Sequence, residues 1–280
     1  MKVLAIMGGP RKGYGTMIME KLEYELKLLQ EVEFEYLYLK DVHLESCRGC
    51  SNCFFKGEDK CPVGNDDRDE IFNKIAQADG VIFMAPAYAF HVPALMKNFF
   101  DRFSYIFHRP CFFGKIAIGV CNQGISGAKK ITSYFNDVAS SWGFKFVHRL
   151  ELRTMPVEGA EKKMVKKIKK TGKKFIKALN EQRYQKPSLG SVIAFKVRKV
   201  QHNIGNDETN ADYKYWLAQG WLDEDKQYYY DVRPGIIKSA IAGLLNLILK
   251  PKFKTMFAGN PKEVYDKYLK LESLNFENIT

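Results

Sequence analysis

KVLAIMGGPRKGYGT, residues 2–16, is the most informative segment of the chain. Its short apolar run, Lys2–Met7, is bounded by glycines, which is typical of a strand buried in a parallel sheet. A glycine-rich loop follows, and Thr16 begins a segment with helical spacing of its apolar residues. Backbone N–H groups at the start of a helix, together with the helix dipole, form an anion site. We therefore predict that this loop binds a phosphate, the alternative being a flexible glycine-rich turn.

Strand and helix patterns alternate outward from this segment over the first 180 residues. Strands are predicted at 2–7, 32–39, 81–85, 115–121 and 144–152, and helices at 16–30, 67–78, 93–107, 128–142 and 161–180. Such alternation predicts an α/β fold, a doubly wound parallel sheet with helices on both faces and right-handed crossovers. Five strands in this length fit the flavodoxin-like order 2-1-3-4-5, in which ligands lie beyond the carboxyl ends of the strands.

The region after this alternation has a different character. We predict a first domain at residues 1–183 and a mainly helical C-terminal appendage at 184–280, which packs on the first domain or mediates oligomerisation. Aromatic residues are dense between Tyr213 and Tyr230, and Gly235–Leu249 is an apolar helix candidate. No chemical motif is found there.

Composition excludes several classes of protein. Hydrophobic residues make up 46% of the 280 residues, which is too many for a disordered chain. No apolar run reaches the roughly 18 residues that span a bilayer, and the N-terminus lacks a signal-peptide pattern, so we predict a cytoplasmic protein with no membrane span. The net charge is +12, and nine lysines between Lys162 and Lys177 account for much of it. Such a run is usually a solvated helix face, and nucleic-acid binding is not predicted.

Two further loops follow predicted strands at the same edge of the sheet. Ala85–His91 follows the third strand and carries Tyr88 and Phe90, which suit a planar ligand, although they could simply pack on the next helix. Cys121–Gly127, after the fourth strand, is polar and glycine-rich. The three loops together favour a ligand site at this edge.

Four of the six cysteines, Cys47, Cys50, Cys53 and Cys61, form a C-x2-C-x2-C-x7-C pattern. A reducing cytoplasm disfavours structural disulfides, so a clustered set indicates metal binding or redox activity. Four thiolates at this spacing can bind a [4Fe–4S] cluster. Zinc is a competing ion. A loop of free or partly oxidised thiols, without a metal, is the third interpretation.

Several motifs, taken in order along the chain, resemble a known family. They are Gly-x-Pro-Arg-Lys after the first strand, Cys-Arg-Gly-Cys-x-x-Cys followed by Cys61 and Asp66-Asp67, Asp79, Pro86-x-Tyr88, and Lys97-x-x-x-Asp101-Arg102. Over residues 1–180 the chain resembles the NAD(P)H-dependent FMN reductase superfamily, and within it the iron-sulfur flavoproteins. Taken by themselves, Asp101 and Arg102 are read as a structural ion pair.

This resemblance implies where FMN binds. The phosphate would be held by Gly9, Arg11, Gly15, Thr16 and Met17. The isoalloxazine would be bordered by Pro86, Ala87, Tyr88 and Phe90, with Asn122, Gln123 and Gly124 on the other rim. The family more often has Ser and Asn where this chain has Gly9 and Gly15, so backbone amides would have to replace two side-chain contacts.

The resemblance also implies an activity. We expect an oxidoreductase in which FMN rather than a catalytic side chain carries the chemistry, and which transfers electrons from NAD(P)H to an unidentified acceptor, with a [4Fe–4S] cluster at Cys47, Cys50, Cys53 and Cys61 as one route. The alternative is an iron-sulfur flavoprotein that carries electrons for a ferredoxin-type partner without a substrate of its own. The family implies a homodimer or homotetramer.

Overall fold

Five parallel strands form a sheet in the computed structural model, in the order β2-β1-β3-β4-β5. The strands are β1 Lys2–Met7, β2 Glu33–Tyr38, β3 Gly80–Pro86, β4 Ile116–Gln123 and β5 Lys145–Arg153. The predicted flavodoxin-like order is confirmed. The order reverses direction at β1 and β3, which creates a crevice at their carboxyl ends.

The structure describes residues 1–155, 159–181, 184, 186–205, 208–232 and isolated positions between 235 and 251. The chain divides into two compact units. The first consists of Met1–Cys53 and Glu58–Tyr184, and the described residues of the second include Phe54–Gly57 and those that follow Tyr184. Across the described ranges, no helix is both long enough and apolar enough to cross a membrane.

The described residues of the region predicted to alternate contain six α-helices. They are α1 Tyr14–Leu29, α2 Asn52–Phe55, α3 Arg68–Gln77, α4 Ala94–Arg102, α5 Ala128–Trp142 and α6 Ala160–Asn180. The prediction of one helix over 93–107 is wrong, because α4 ends at Arg102 and a separate 3₁₀ turn covers Ser104–Phe107. The tighter turn buries Tyr105 and Ile106, which an uninterrupted α-helix would place differently.

The two faces of the sheet are packed differently. Residues Val3–Ile6 of β1 are fully buried, as expected of a strand covered on both sides. On one face α1 and α6 pack together, with Gly172 of α6 next to Leu22 and Leu26. On the other, Phe83 contacts an aromatic cluster that includes Trp142. This packing fixes the strand ends, and therefore the loops that follow them, in place.

The described residues of the second unit include the helices α7 Leu189–Gly205 and α8 Ala211–Ala218. The Asn210 side chain accepts hydrogen bonds from the backbone N–H groups of Asp212 and Tyr213 and so caps α8. Phe195 and Trp216, both fully buried, stack with ring centroids 5.6 Å apart. The C-terminal region is helical as predicted, but most of the predicted helix 235–249 lies outside the described residues.

Candidate functional site

A cleft of about 660 Å³ opens beyond the carboxyl ends of β1, β3 and β4. Its volume lies within the range of roughly 300–1,000 Å³ that is typical of cofactor sites. The residues predicted to bind the phosphate and ring all line it except Phe90 and Gln123: Gly9, Arg11, Gly15, Thr16, Met17, Pro86, Ala87, Tyr88, Asn122 and Gly124. The lining also includes Tyr38 and Thr154, which no motif marked.

The loop after β1 presents the N-terminus of α1 to this cleft. The Gly8 N–H donates to the Met84 carbonyl at 2.7 Å, which ties the loop to the end of β3. Helix α1 has no acidic residue in its first turn and no side-chain cap. Its first N–H groups and the positive end of its dipole therefore remain available to an anion, with Arg11 beside them.

Asn122 supplies an unsatisfied polar atom at the end of β4. Its Oδ1 atom is buried and has no hydrogen-bond partner among the described residues. A Cβ atom at Gly15 would lie 3.6 Å from this oxygen, and 2.7 Å from Cε of Met84. Gly15 therefore packs directly against Met84 and close to Asn122, with no room for a side chain of its own. A buried acceptor without a partner, on a residue that lines the cleft, fits a planar cofactor with N–H donors, such as FMN.

The loop after β3 forms a tight two-residue hairpin turn. The Tyr88 N–H donates to the His91 carbonyl at 2.9 Å, and the His91 N–H donates back to Tyr88 at 2.8 Å. The central residues Ala89 and Phe90 have φ values of 45° and 61°, in the left-handed region that glycine and asparagine normally occupy in such turns. Phe90 is 67% exposed and does not line the cleft.

Gln123 is also placed elsewhere than at the predicted rim. Its Oε1 atom accepts a hydrogen bond from the backbone N–H of Ala128, the first residue of α5, at 2.7 Å. The side chain thereby satisfies a helix N-terminus instead of facing the cleft. His91 packs against Tyr134, with ring centroids 4.9 Å apart.

The cysteine pattern lies on the long loop between β2 and α3. Cys47 and Cys50 are exposed, whereas Cys53 and Cys61 are half-buried, and all four are free thiols. Burial raises the pKa of Cys53, and the nearby thiols of Cys47 and Cys61 raise it further. Within the described ranges, however, no three His, Cys, Asp or Glu side chains already converge as metal ligands.

Arg102 anchors the returning part of this loop. Its Nη1 donates to Cys61 Sγ at 3.1 Å, and its Nη2 donates to Asp66 Oδ2 at 2.7 Å. Burial by itself lowers the pKa of Arg102, but the hydrogen bonds to Cys61 and Asp66 outweigh burial and raise it, so the guanidinium stays charged. The interpretation of Asp101 and Arg102 as one ion pair is wrong, because Asp101 pairs with Lys97 one helical turn earlier.

Two more buried arginines hold the same loop. Arg68 of α3 donates to the Glu58 carbonyl at 2.7 Å. Arg109 donates to the Glu58 carboxylate at 2.6 Å and to the Cys53 carbonyl at 2.5 Å. Sequence reasoning missed both residues, since neither belongs to a motif and each meets the loop only in the folded chain.

Comparison with known proteins identifies the family. The family model described as NADPH-dependent FMN reductase matches residues 1–152. The chain belongs to this family. An iron-sulfur flavoprotein of Archaeoglobus fulgidus is 31% identical over 234 residues, which cover 79% of this chain and all of that protein. An iron-sulfur flavoprotein of Clostridioides difficile is 30% identical over 198 residues, covering 70% of this chain and 86% of the other.

Solved structures support the same fold for this family member. RosB, crystallised with 8-demethyl-8-formylriboflavin-5'-phosphate, has a TM-score of 0.51 at 13% identity and covers 64% of this chain and 79% of its own. A flavone reductase has a TM-score of 0.52 at 18% identity, with 66% of each chain covered. At these identities the likeness concerns the fold alone. Family membership and the cleft together make this chain an FMN-dependent oxidoreductase.

Proposed function

We propose that this FMN reductase family member takes electrons from NAD(P)H and passes them to a separate acceptor. The observation that carries the proposal is the cleft lined by the uncapped N-terminus of α1 and by Asn122, whose buried Oδ1 has no hydrogen-bond partner among the described residues. FMN, when bound, supplies reversible electron transfer, while the protein supplies binding, orientation and electrostatics.

The phosphate end of the cleft would be formed by the loop after β1. Thr16 offers a hydroxyl and Arg11 a guanidinium, and hydrogen bonds of this kind to a charged group contribute roughly 1.5–3 kcal/mol each. Gly9 and Gly15 have no side chain to contribute. Backbone N–H groups at the start of α1 would serve instead, as the uncapped first turn permits.

The ring end would lie between the loops that follow β3 and β4. Pro86, Ala87 and Tyr88 border one side, and Asn122 and Gly124 border the other. The Ala87 N–H donates to the Asn122 carbonyl at 2.8 Å, which couples the two borders. Tyr88 is partly exposed, so its ring is available to cover an edge of the site and exclude water.

A direct test is reduction of the purified holoprotein under nitrogen. NADPH or NADH should bleach the flavin absorbance within seconds to minutes. The double variant Arg11→Ala with Thr16→Val should be purified largely without FMN. A variant that keeps wild-type FMN affinity would contradict the placement of the phosphate.

The cysteine loop would provide a second redox centre in this proposal. The relatives named iron-sulfur flavoproteins and the x2, x2, x7 spacing support a [4Fe–4S] cluster at Cys47, Cys50, Cys53 and Cys61. The donor set fits by its chemistry, since four free thiols share one loop. A reducing cytoplasm, where we place the protein, would keep these thiols available.

Iron and acid-labile sulfide, assayed on protein prepared without oxygen, test the cluster. Wild type should contain about four irons per chain, the number in one [4Fe–4S] cluster. Cys50→Ser should lose them and keep FMN. Cys111→Ser, a half-buried cysteine outside the loop, is the matched control and should keep both. Zinc in place of iron, or no metal in wild type, would reject the cluster and leave a flavin-only reductase.

A second candidate is an electron carrier that is served by an acidic ferredoxin-type protein. Helix α6 favours it, because its lysines between Lys162 and Lys177 are exposed on one helix of the first unit. Complementary charge accelerates such encounters and makes them sensitive to salt. Flavin reduction by reduced ferredoxin but not by NADPH or NADH would select this candidate.

We also propose that residues 184–280 serve assembly into a homodimer or homotetramer. Ile241, Leu244 and Leu247 have exposed side chains at roughly helical spacing. Exposed apolar residues in such a series mark interaction surfaces. Replacing Leu244 and Leu247 by Ser should reduce the mass per particle in light scattering, with Tyr24→Ser as an exposed control outside this region. Unchanged mass would contradict this role.

A further inference from the structure

Arg102 makes an unusual set of contacts in the cysteine loop. One guanidinium donates to a sulfur, a carboxylate and a carbonyl, namely Cys61 Sγ at 3.1 Å, Asp66 Oδ2 at 2.7 Å and Val63 O at 3.2 Å. The side chains of Arg102 and Asp66 are only 2% and 3% exposed. A planar guanidinium that makes three hydrogen bonds has one orientation. The direction of the N–H group that donates to Cys61 is therefore set by buried contacts of the folded chain.

The carboxylate of Asp66 explains why a charge can be buried here. A buried guanidinium without a partner is costly, and the Asp66 pair offsets that cost. Arg102 Nε is also buried and has no partner among the described residues, so the group retains a donor that the protein does not use. An arginine that served only to pair with Asp66 would require neither the hydrogen bond to Cys61 nor an additional buried donor.

Arg68 provides an internal comparison. It too is buried and grips the same loop, through the Glu58 carbonyl, and it pairs with Asp69. The Arg68 guanidinium donates hydrogen bonds to oxygen atoms, whereas the Arg102 guanidinium also donates one to a sulfur atom. Comparing variants of Arg68 and Arg102 therefore distinguishes a structural role in holding the loop from a direct effect on a thiolate.

We propose that Arg102 is a positioning residue that orients the Cys61 sulfur and sets the reduction potential of the group bound by the cysteine loop. This inference rests on the proposed cluster site. Hydrogen bonds to ligand sulfurs, and positive charge beside them, favour the more negative, reduced state of an iron-sulfur centre and so raise its potential. The Asp66 partner keeps the donor aimed at Cys61.

The test is a redox titration of anaerobically prepared wild type, Arg102→Gln and Arg68→Gln, followed by electron paramagnetic resonance. At a fixed applied potential, Arg102→Gln should lower the ratio of reduced to oxidised cluster at least tenfold, equivalent to a midpoint about 59 mV lower for one electron. In Arg68→Gln the same ratio of reduced to oxidised cluster should stay within twofold of the wild-type ratio. An unchanged midpoint in Arg102→Gln, or an equal shift in both variants, would overturn the inference.

Arg102→Lys covers the case in which the Gln variant does not fold. It keeps a buried charge beside Asp66 but lacks the forked geometry that reaches both Asp66 and Cys61. Its midpoint should fall in the same direction, and a wild-type midpoint would again reject the inference. FMN content, measured by absorbance, should be equal in all variants.

A separate measurement, of Co²⁺ affinity, distinguishes failure of this inference from failure of the cluster proposal. If wild type contains no iron, reduced metal-free protein should be titrated with Co²⁺ and followed by thiolate-to-metal absorption. Arg102→Gln should bind Co²⁺ at least tenfold more weakly than wild type and Arg68→Gln, because a metal bound by four thiolates leaves a net negative site. Equal affinities would overturn the role of Arg102, whatever the cluster result.

Discussion

The buried Oδ1 of Asn122 lies 3.6 Å from the position that a Cβ atom would occupy at Gly15. Asn122 is the penultimate residue of β4 and Gly15 lies in the first turn of α1, and the sheet order brings them to the same crevice. The pair marks the part of the cleft where a buried amide oxygen lacks a donor and where Met84 leaves no room for a side chain at residue 15.

Asn122→Ala should separate binding from stability. FMN affinity should fall by about 1–3 kcal/mol, because a buried hydrogen bond is lost, while the FMN-free protein should unfold no more easily, since an unsatisfied acceptor has been removed. Fluorescence titration and urea denaturation measure the two quantities. Gln123→Ala is the matched control, and it should cost about 1 kcal/mol of stability without changing FMN affinity, because that side chain serves α5.

Gly15→Ala should weaken FMN binding more than Gly13→Ala does. A Cβ at Gly15 would meet Met84 Cε at 2.7 Å and narrow the space before Asn122, whereas a Cβ at Gly13 meets nothing within 4 Å. Both glycines line the cleft, so their chemical setting is matched. Isothermal titration with FMN should show at least a fivefold difference in Kd, and equal Kd values would argue that FMN does not enter this part of the cleft.

Ala89→Gly should stabilise the protein by about 1 kcal/mol. Ala89 has φ of 45°, and an L-residue pays roughly 1–2 kcal/mol in the left-handed region that glycine adopts freely. Part of the gain is offset by the greater freedom of glycine in the unfolded chain. Thermal unfolding measures the effect, and Ala87→Gly, at a position without positive φ, should instead lower Tm.

The pH dependence of stability should carry a contribution from His148. Burial lowers the pKa of His148 below its usual 6.5, and the charges of Lys174 and Lys170 lower it further. Below pH 6.5 the unfolded chain therefore binds a proton before the folded chain does, and stability falls as the pH drops through this window. His148→Gln should flatten the decline between pH 7.5 and 5.5 in urea denaturation.

His43→Gln provides a control of opposite sign. The hydrogen bond that the imidazole of His43, an exposed residue, donates to the Glu45 carboxylate raises the pKa of His43, so protonation at low pH favours the folded state slightly. Replacing His43 should leave the fall in the free energy of unfolding toward pH 5.5 as steep as in wild type, or make it steeper. A flatter profile in this variant, or an unchanged one in His148→Gln, would contradict the assignment.

The sequence by itself determined the sheet and its ligand edge. Apolar runs such as Lys2–Met7 and helical spacings are local patterns, and the rules for parallel crossovers convert them into one strand order. The loop before Thr16 was recognisable for the same reason, because a glycine-rich turn between a buried strand and a helix has few other uses. The cysteine spacing was likewise visible without any structure.

Only the tertiary structure decided which side chains meet. Gln123 turns to α5, Phe90 lies on a strained turn outside the cleft, and Arg102 joins Asp66 and Cys61 rather than its neighbour Asp101. Each of these outcomes depends on a donor or acceptor that another segment delivers. Periodicity reports which face of an element is buried, but partners for buried charges and helix ends are set by the packing of distant segments, and a linear pattern carries no record of them.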